Sequence, residues 1–177
     1  MEVLLITKLN TSRFILRALD PLVDDFANYL SWMRNPISNS FIHSINCGVA
    51  LQDLRDYVNT KNQSHDALLF GIFTIASDFH IGNVKLEPIT PDKTATIGIL
   101  VGEEEWRGVG VGFEVLSRII NFSFYDLKIR KIILGVHADN LAAINLYKKL
   151  GFLEYPDPQS KPKHIKMKID CPPYIIT

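Results

Sequence analysis

Trp106-Arg107-Gly108-Val109-Gly110-Val111-Gly112 stands between an alternating apolar run, Thr94-Ala95-Thr96-Ile97-Gly98-Ile99-Leu100-Val101, and a strongly helical stretch. This is a strand, a glycine loop and a helix start in succession. Glycines in such a loop let backbone N–H groups approach an anion closely, and the dipole of the following helix favours negative charge there. The chemistry is that of a phosphate cradle. Spacing decides which phosphate. A dinucleotide fingerprint beginning at Gly108 requires glycine where the chain has Phe113, and a nucleotide-hydrolase loop requires a Gly-Lys-Ser/Thr run that is missing after the second glycine. What remains is Arg-x-x-Gly-x-Gly, carried by Arg107, Gly110 and Gly112.

A second pattern lies one strand downstream. After the apolar run Lys131-Ile132-Ile133-Leu134-Gly135-Val136 comes Asn140-Leu141-Ala142-Ala143-Ile144-Asn145-Leu146-Tyr147-Lys148-Lys149-Leu150-Gly151-Phe152. Asn140 suits an N-cap, Ala and Leu suit a helix interior, and Gly151 stands where a left-handed C-terminal residue is preferred. Asn140 and Tyr147 are about two helical turns apart and so project from one face.

Together the two patterns resemble the GCN5-related N-acetyltransferases (GNAT superfamily). Arg-x-x-Gly-x-Gly is similar to that family's pyrophosphate loop, and Asn140 to Phe152 resembles its Asn-x-x-Ala-Ile-x-Leu-Tyr-x-Lys-Leu-Gly-Phe signature at every fixed position. Arg13-Phe14-Ile15-Leu16-Arg17-Ala18-Leu19, Trp32-Met33-Arg34-Asn35-Pro36 and the run from Ile97 through Trp106 to Glu114 look like the branch containing the ribosomal-protein N-terminal acetyltransferases. Polyamine and amino-sugar acetyltransferases share much of this layout.

With 177 residues, 47% of them hydrophobic, the chain is expected to form one domain, residues 1–177, around one substantial core. Lys+Arg and Asp+Glu are equal at 19 each, so no overall field argues for nucleic acid or for an anionic membrane surface. There is no transmembrane-length apolar run and no signal-type N-terminus, which points to the cytoplasm. Cys47 and Cys171 stand far apart without CxxC or His-rich spacing, so no metal site is expected and two reduced thiols are the default. His43 near Cys47 is too little to make that thiol a nucleophile.

Along the chain, residues 13–17 alternate like a strand. Asp20-Pro21 reads as a helix start, with Leu22, Phe26, Tyr29, Leu30 and Met33 at helical spacing up to Asn35-Pro36. A second amphipathic helix is expected around Leu51, Leu54 and Val58. Strands follow over residues 67–76 and 81–86, then the strand before the cradle, and a helix reaching about Tyr125. A loop over residues 155–162 precedes a last strand over residues 165–169. The order predicts an α/β (α+β) chain with a mixed, largely antiparallel sheet covered by helices on both faces. It is also the order the GNAT fold implies.

The resemblance implies acetyl-CoA as cofactor and a primary amine as acceptor: a peptide N-terminus, an amino sugar, a polyamine or another small amine. It implies that Ile99, Leu100 and Val101 bind the pantetheine arm in strand fashion, and that Arg107, Gly108, Val109, Gly110, Val111 and Gly112 hold the pyrophosphate. Asn140 would hydrogen-bond the cofactor or a water, or simply cap its helix; Tyr147 would be the general acid, or simply pack. Two positions where some relatives carry a catalytic carboxylate are Thr96 and Gly135 here. That leaves His137, Glu87 or water as base. Trp32, Arg34, Phe41 and His43 are candidates for the acceptor wall by analogy. A homodimer is compatible with the family, and the missing carboxylates keep a non-catalytic acyl-CoA sensor as the competing class.

Overall fold

The computed structural model describes residues 8–35, 48–158, 160 and 162–172. Phe41, His43 and Cys47 lie outside the described residues. The elements in chain order are β1 (Lys8–Asn10), β2 (Phe14–Arg17), α1 (Ala27–Arg34), α2 (Leu51–Asn62), β3 (Leu68–Thr74), β4 (His80–Ile89) and β5 (Thr94–Val101). After a 3-10 turn at Glu104–Trp106 come α3 (Val111–Tyr125), β6 (Lys131–His137), α4 (Leu141–Lys149), β7 (Leu153–Tyr155) and β8 (His164–Asp170). Among the described residues no helix is long and apolar enough to cross a membrane.

The strands form one mixed sheet in the order β1-β2-β3-β4-β5-β6-β8-β7. Each neighbouring pair is antiparallel except β5 and β6, which α3 joins as a crossover. Alternation along the strands sends successive side chains to opposite faces. From β3, Phe70 and Ile72 enter a core beneath α3 and α4, where Val115, Leu116, Ile119 and Ile144 meet them. Leu69 and Phe73 enter a second core with Tyr29 and Trp32 of α1 and Leu54 and Val58 of α2. Helices therefore cover both faces, and the expected GNAT-type arrangement is what the chain forms.

Three elements depart from expectation: β1 has no counterpart in the sequence reading, β7 takes up Tyr155 from the start of the expected loop over residues 155–162, and the first helix starts late. The first helix begins at Ala27, not at Asp20-Pro21. The Asp20 side chain accepts a hydrogen bond from Leu22 N, and Asp24 accepts from Asp20 N and pairs with Arg17, closing a turn instead. Leu22 is left 88% exposed. Asp25 then accepts from Ala27 N at 2.8 Å and gives the helix a later start. At the other termini expectation holds: Asn140 caps α4 and Gly151 follows it at φ +92°.

Candidate active site

The site begins where two strands part. β5 and β6 pair only through Thr94, Ala95 and Thr96 with Lys131, Ile132 and Ile133. Beyond that, β5 remains hydrogen-bonded to β4 as far as Val101, and β6 remains bonded to β8 as far as His137. The facing edges of both strands are therefore left without a strand partner. A cavity of about 550 Å³ occupies the gap and reaches both faces of the sheet. Ile99, Leu100, Val101, His137, Asn140 and Tyr147 all line it, whereas none of Arg107 to Gly112 does.

Tyr147 comes from the last turn of α4, is 9% exposed, and packs edge-on against Phe152 with ring centroids 5.8 Å apart. Burial raises its pKa, so the phenol is held in its protonated form. Asn140 caps α4, its Oδ1 accepting from Ala143 N at 3.1 Å, and the residue also lines the cavity. His137 lines the cavity near the end of β6, with its Nδ1 3.5 Å from Asp139 Oδ2 and its ring edge-on to His164. Glu87 is less suited to act as a base. Burial works to raise its pKa, but the hydrogen bond from Lys61 and the charges of Lys85 and Lys61 outweigh that and lower it.

The glycine loop has a different construction at each residue. Gly108 and Gly110 have φ of +74° and +87°, a conformation that disfavours any branched side chain. Gly112 instead packs closely on α4: a Cβ there would lie 2.7 Å from Leu146 Cδ2, and the leucine side chain would have to shift. The N–H groups of Val111, Gly112 and Phe113 have no backbone partner among the described residues, while Glu114 N already bonds to Gly110 O. These are free donors at the start of a long helix. Val111 contributes only its backbone, because its side chain is buried in the core.

Arg107 faces another way. Its Nε and Nη2 donate to the carbonyls of Val101 and Gly102 at 3.0 and 2.7 Å, tying the loop to the end of β5. The loop has a brace that sequence reasoning missed: Arg13 donates from its backbone N and its Nε to the Glu114 carboxylate and from Nη1 to Val109 O. A guanidinium placed across a sequence separation of about a hundred residues leaves no local signal.

Trp32 and Arg34 do not line the cavity. Trp32 is 3% exposed, donates its indole N–H to Glu103 at 2.9 Å, and lies so close to Gly102 that a Cβ there would meet its ring. Arg34 donates to Val49 O through Nε and Nη2. Their α1 and α2 neighbours Tyr29, Met33, Leu54 and Tyr57 supply the wall instead, with Asn83 and Lys85 of β4. The signal for the last two was present in the sequence. Asn83 and Lys85 alternate with the buried apolar Val84 and Leu86, so both polar side chains belong to the opposite face.

Comparison with known proteins agrees with this architecture. The family model "Acetyltransferase (GNAT) domain" matches residues 13–153. The chain belongs to the GNAT acetyltransferase family, acyltransferases by class. A curated relative, the "Probable N-acetyltransferase YjcK" of Bacillus subtilis, is 34% identical over 85 residues, covering 47% of this chain and 46% of the relative, so the match spans about half of each. The "N-acetyltransferase 9-like protein" of Caenorhabditis elegans is 26% identical over 141 residues, covering 71% of this chain and 69% of that one. Among solved structures, spermidine N-acetyltransferase from Vibrio cholerae in complex with CoA and spermine superposes with a TM-score of 0.78 at 23% identity, covering 90% of this chain and 96% of that one. A putative ribosomal-protein-serine acetyltransferase from the same organism gives 0.74 at 17%, covering 92% and 97%. At these identities the structural likeness is one of fold.

Proposed function

We propose that the protein is a cytoplasmic, acetyl-CoA-dependent N-acetyltransferase acting on a primary amine. The observation that carries this reading is the gap between β5 and β6, which opens a cavity through the sheet with Tyr147 on its wall. The residues present fit the cofactor in two independent ways. The inner edge of β5 offers unpaired backbone groups to an amide-bearing arm, and the first turn of α3 offers unpaired N–H groups to a pyrophosphate. Acetyl-CoA bound there supplies the acetyl thioester.

The chain's own residues do the rest. Ile99, Leu100 and Val101 align the arm along their strand edge, and the N–H groups of Val111, Gly112 and Phe113 hold the phosphates. Arg107 keeps the turn closed from behind. Tyr147, neutral because it is buried, donates its proton to the departing thiolate sulfur. The attacking amine gives up its proton through His137 or water. The sensor reading draws on Thr96 and Gly135, which put no carboxylate on either parted strand. A thiol-release assay with acetyl-CoA and a panel of primary amines separates the two readings. Turnover with one of them is expected; tight CoA binding without turnover for any amine establishes the sensor.

A further inference from the structure

We propose that the acceptor is a primary amine that also carries an anionic group, a carboxylate or a phosphate, and is not a polyamine. The inference rests on the acetyltransferase reading. It begins at two glycines that face each other across the parting strands. The pairings Thr96↔Ile133, Lys85↔Gly98 and Gly135↔Lys166 place Gly98, Gly135, Lys85 and Lys166 on one face of the sheet. That is the face of α1 and α2, because Leu69, the partner of Lys85 on β3, packs with those helices.

Neither glycine covers its own strand, and a lysine stem does so instead. A Cβ at Gly98 would lie 3.6 Å from Lys85 Cγ, and one at Gly135 would lie 3.8 Å from Lys166 Cδ and Nζ. Lys85 lines the cavity itself, and Lys166 lines a separate hollow at the start of β8. An ammonium group therefore flanks the parted strands on either side. Asn83, two residues before Lys85 and on the same face, adds a donor. His80 Nε2 lies 2.9 Å from the Gly82 carbonyl and 3.0 Å from Asn83 Oδ1, and a carbonyl can only accept, so Nε2 carries the proton and the Asn83 oxygen faces it. The Asn83 amide nitrogen is left enclosed and without a partner.

The nearby carboxylates are already engaged. Asp53, which lines the cavity, accepts from Ala50 N at 2.7 Å as the first turn of α2 requires, and Glu87 is shared between Lys61 and Lys85, whose Nζ lies 3.4 Å from Oε2. Glu154 pairs with Lys148, and Asp157 reaches Lys166 only at 4.0 Å. Among the described residues Asp53 is the one carboxylate on the cavity wall, and a polycation would otherwise meet lysines here. An amine tethered to an anion meets the charge it needs. Like charge close to the substrate ammonium also favours its free-base form, which eases attack in a site with no carboxylate at Thr96 or Gly135.

The test uses matched pairs on the full chain: glucosamine 6-phosphate against glucosamine, phenylalanine against phenylalaninamide, and spermidine. Turnover is followed by thiol release, and binding to the CoA-loaded protein by calorimetry. At least one anionic member is expected to exceed its neutral partner in kcat/KM by about tenfold or more, with the better pair distinguishing phosphate from carboxylate. Lys85→Gln should collapse that preference chiefly through KM, and Lys85→Glu should reverse it. Spermidine or the neutral amines performing as well as both anionic ones overturns the proposal while leaving the transferase reading intact. Lysine-dependent binding of an anionic amine without turnover does the opposite, upholding the anion site and removing the transferase. Failure of both anionic amines to bind overturns the proposal as well.

Discussion

At the scale of single residues, Tyr147 as the proposed acid and Arg13 as the brace of the loop separate chemistry from positioning. The Tyr147 hydroxyl has no hydrogen-bond partner among the described residues, so Tyr147→Phe removes a proton donor without stranding a buried group. A drop in kcat of roughly tenfold or more, with KM for acetyl-CoA nearly unchanged, is expected in steady-state assays. Unchanged turnover would remove Tyr147 from the mechanism. Arg13 touches only the back of the cradle, through Val109 O and Glu114. Arg13→Ala should therefore raise KM for acetyl-CoA about tenfold with little change in kcat, and Arg13→Lys should recover only part, because an ammonium cannot reproduce the forked contact. An equal fall in kcat would show general destabilisation instead. The two cases also mark what was readable in advance. Tyr147 was legible because its motif is local, with Asn140 two turns before it on one helix face. Arg13 reads from the sequence as part of a strand, but its partner Glu114 lies on α3, and no pattern in either segment announces a contact that only the sheet order creates.

At the scale of elements, α1, α2 and β4 enclose a histidine that the reaction does not use. His80 is buried between Phe73, stacked at 4.7 Å, and Trp32, edge-on at 4.9 Å. Burial lowers its pKa, outweighing the raising effect of the Asn83 and Gly82 contacts. The unfolded chain then binds a proton that the native protein refuses, so stability is full above the ordinary histidine range and falls as pH drops through about 6.5. The depressed carboxylates Asp24, Glu87 and Glu114 give way only below their own unfolded values of about 4. Denaturant unfolding between pH 7.5 and 5 thus isolates the histidine: wild type should lose stability across that window, and His80→Gln should lose less. Equal slopes would show that His80 charges without cost. These elements were the harder ones to read. The helix over residues 27–34 was foreseen by its apolar spacing, but its start was not, since the competition for Asp20 and Asp24 was decided by Arg17. The α3 and α4 boundaries needed no such partner, because the positive-φ glycine before α3 and the Asn140 cap on α4 fix them locally.

At the scale of the whole molecule, the parted strands make binding and stability one problem. An eight-stranded sheet that opens between β5 and β6 leaves two inner edges unpaired, and α3 starts with unpaired N–H groups after a loop that Arg107 ties to the end of β5. A ligand that fills the gap and caps the helix joins the two halves of the sheet through contacts that the unfolded chain cannot offer. By linkage, a ligand at a hundredfold excess over its Kd stabilises the native state by about 2.7 kcal/mol. For a chain of this size that corresponds to a rise in Tm of about 5–11 °C. Acetyl-CoA and CoA should both produce such a rise in thermal unfolding, because arm and pyrophosphate are common to them. Pantetheine and ATP, each meeting only one part of the site, should give smaller shifts. Gly110→Val should abolish the response to ATP, since φ of +87° is closed to a β-branched residue and the first turn of α3 must change to accept it. A wild-type Tm indifferent to saturating CoA would mean that the gap and the helix start are not one binding site.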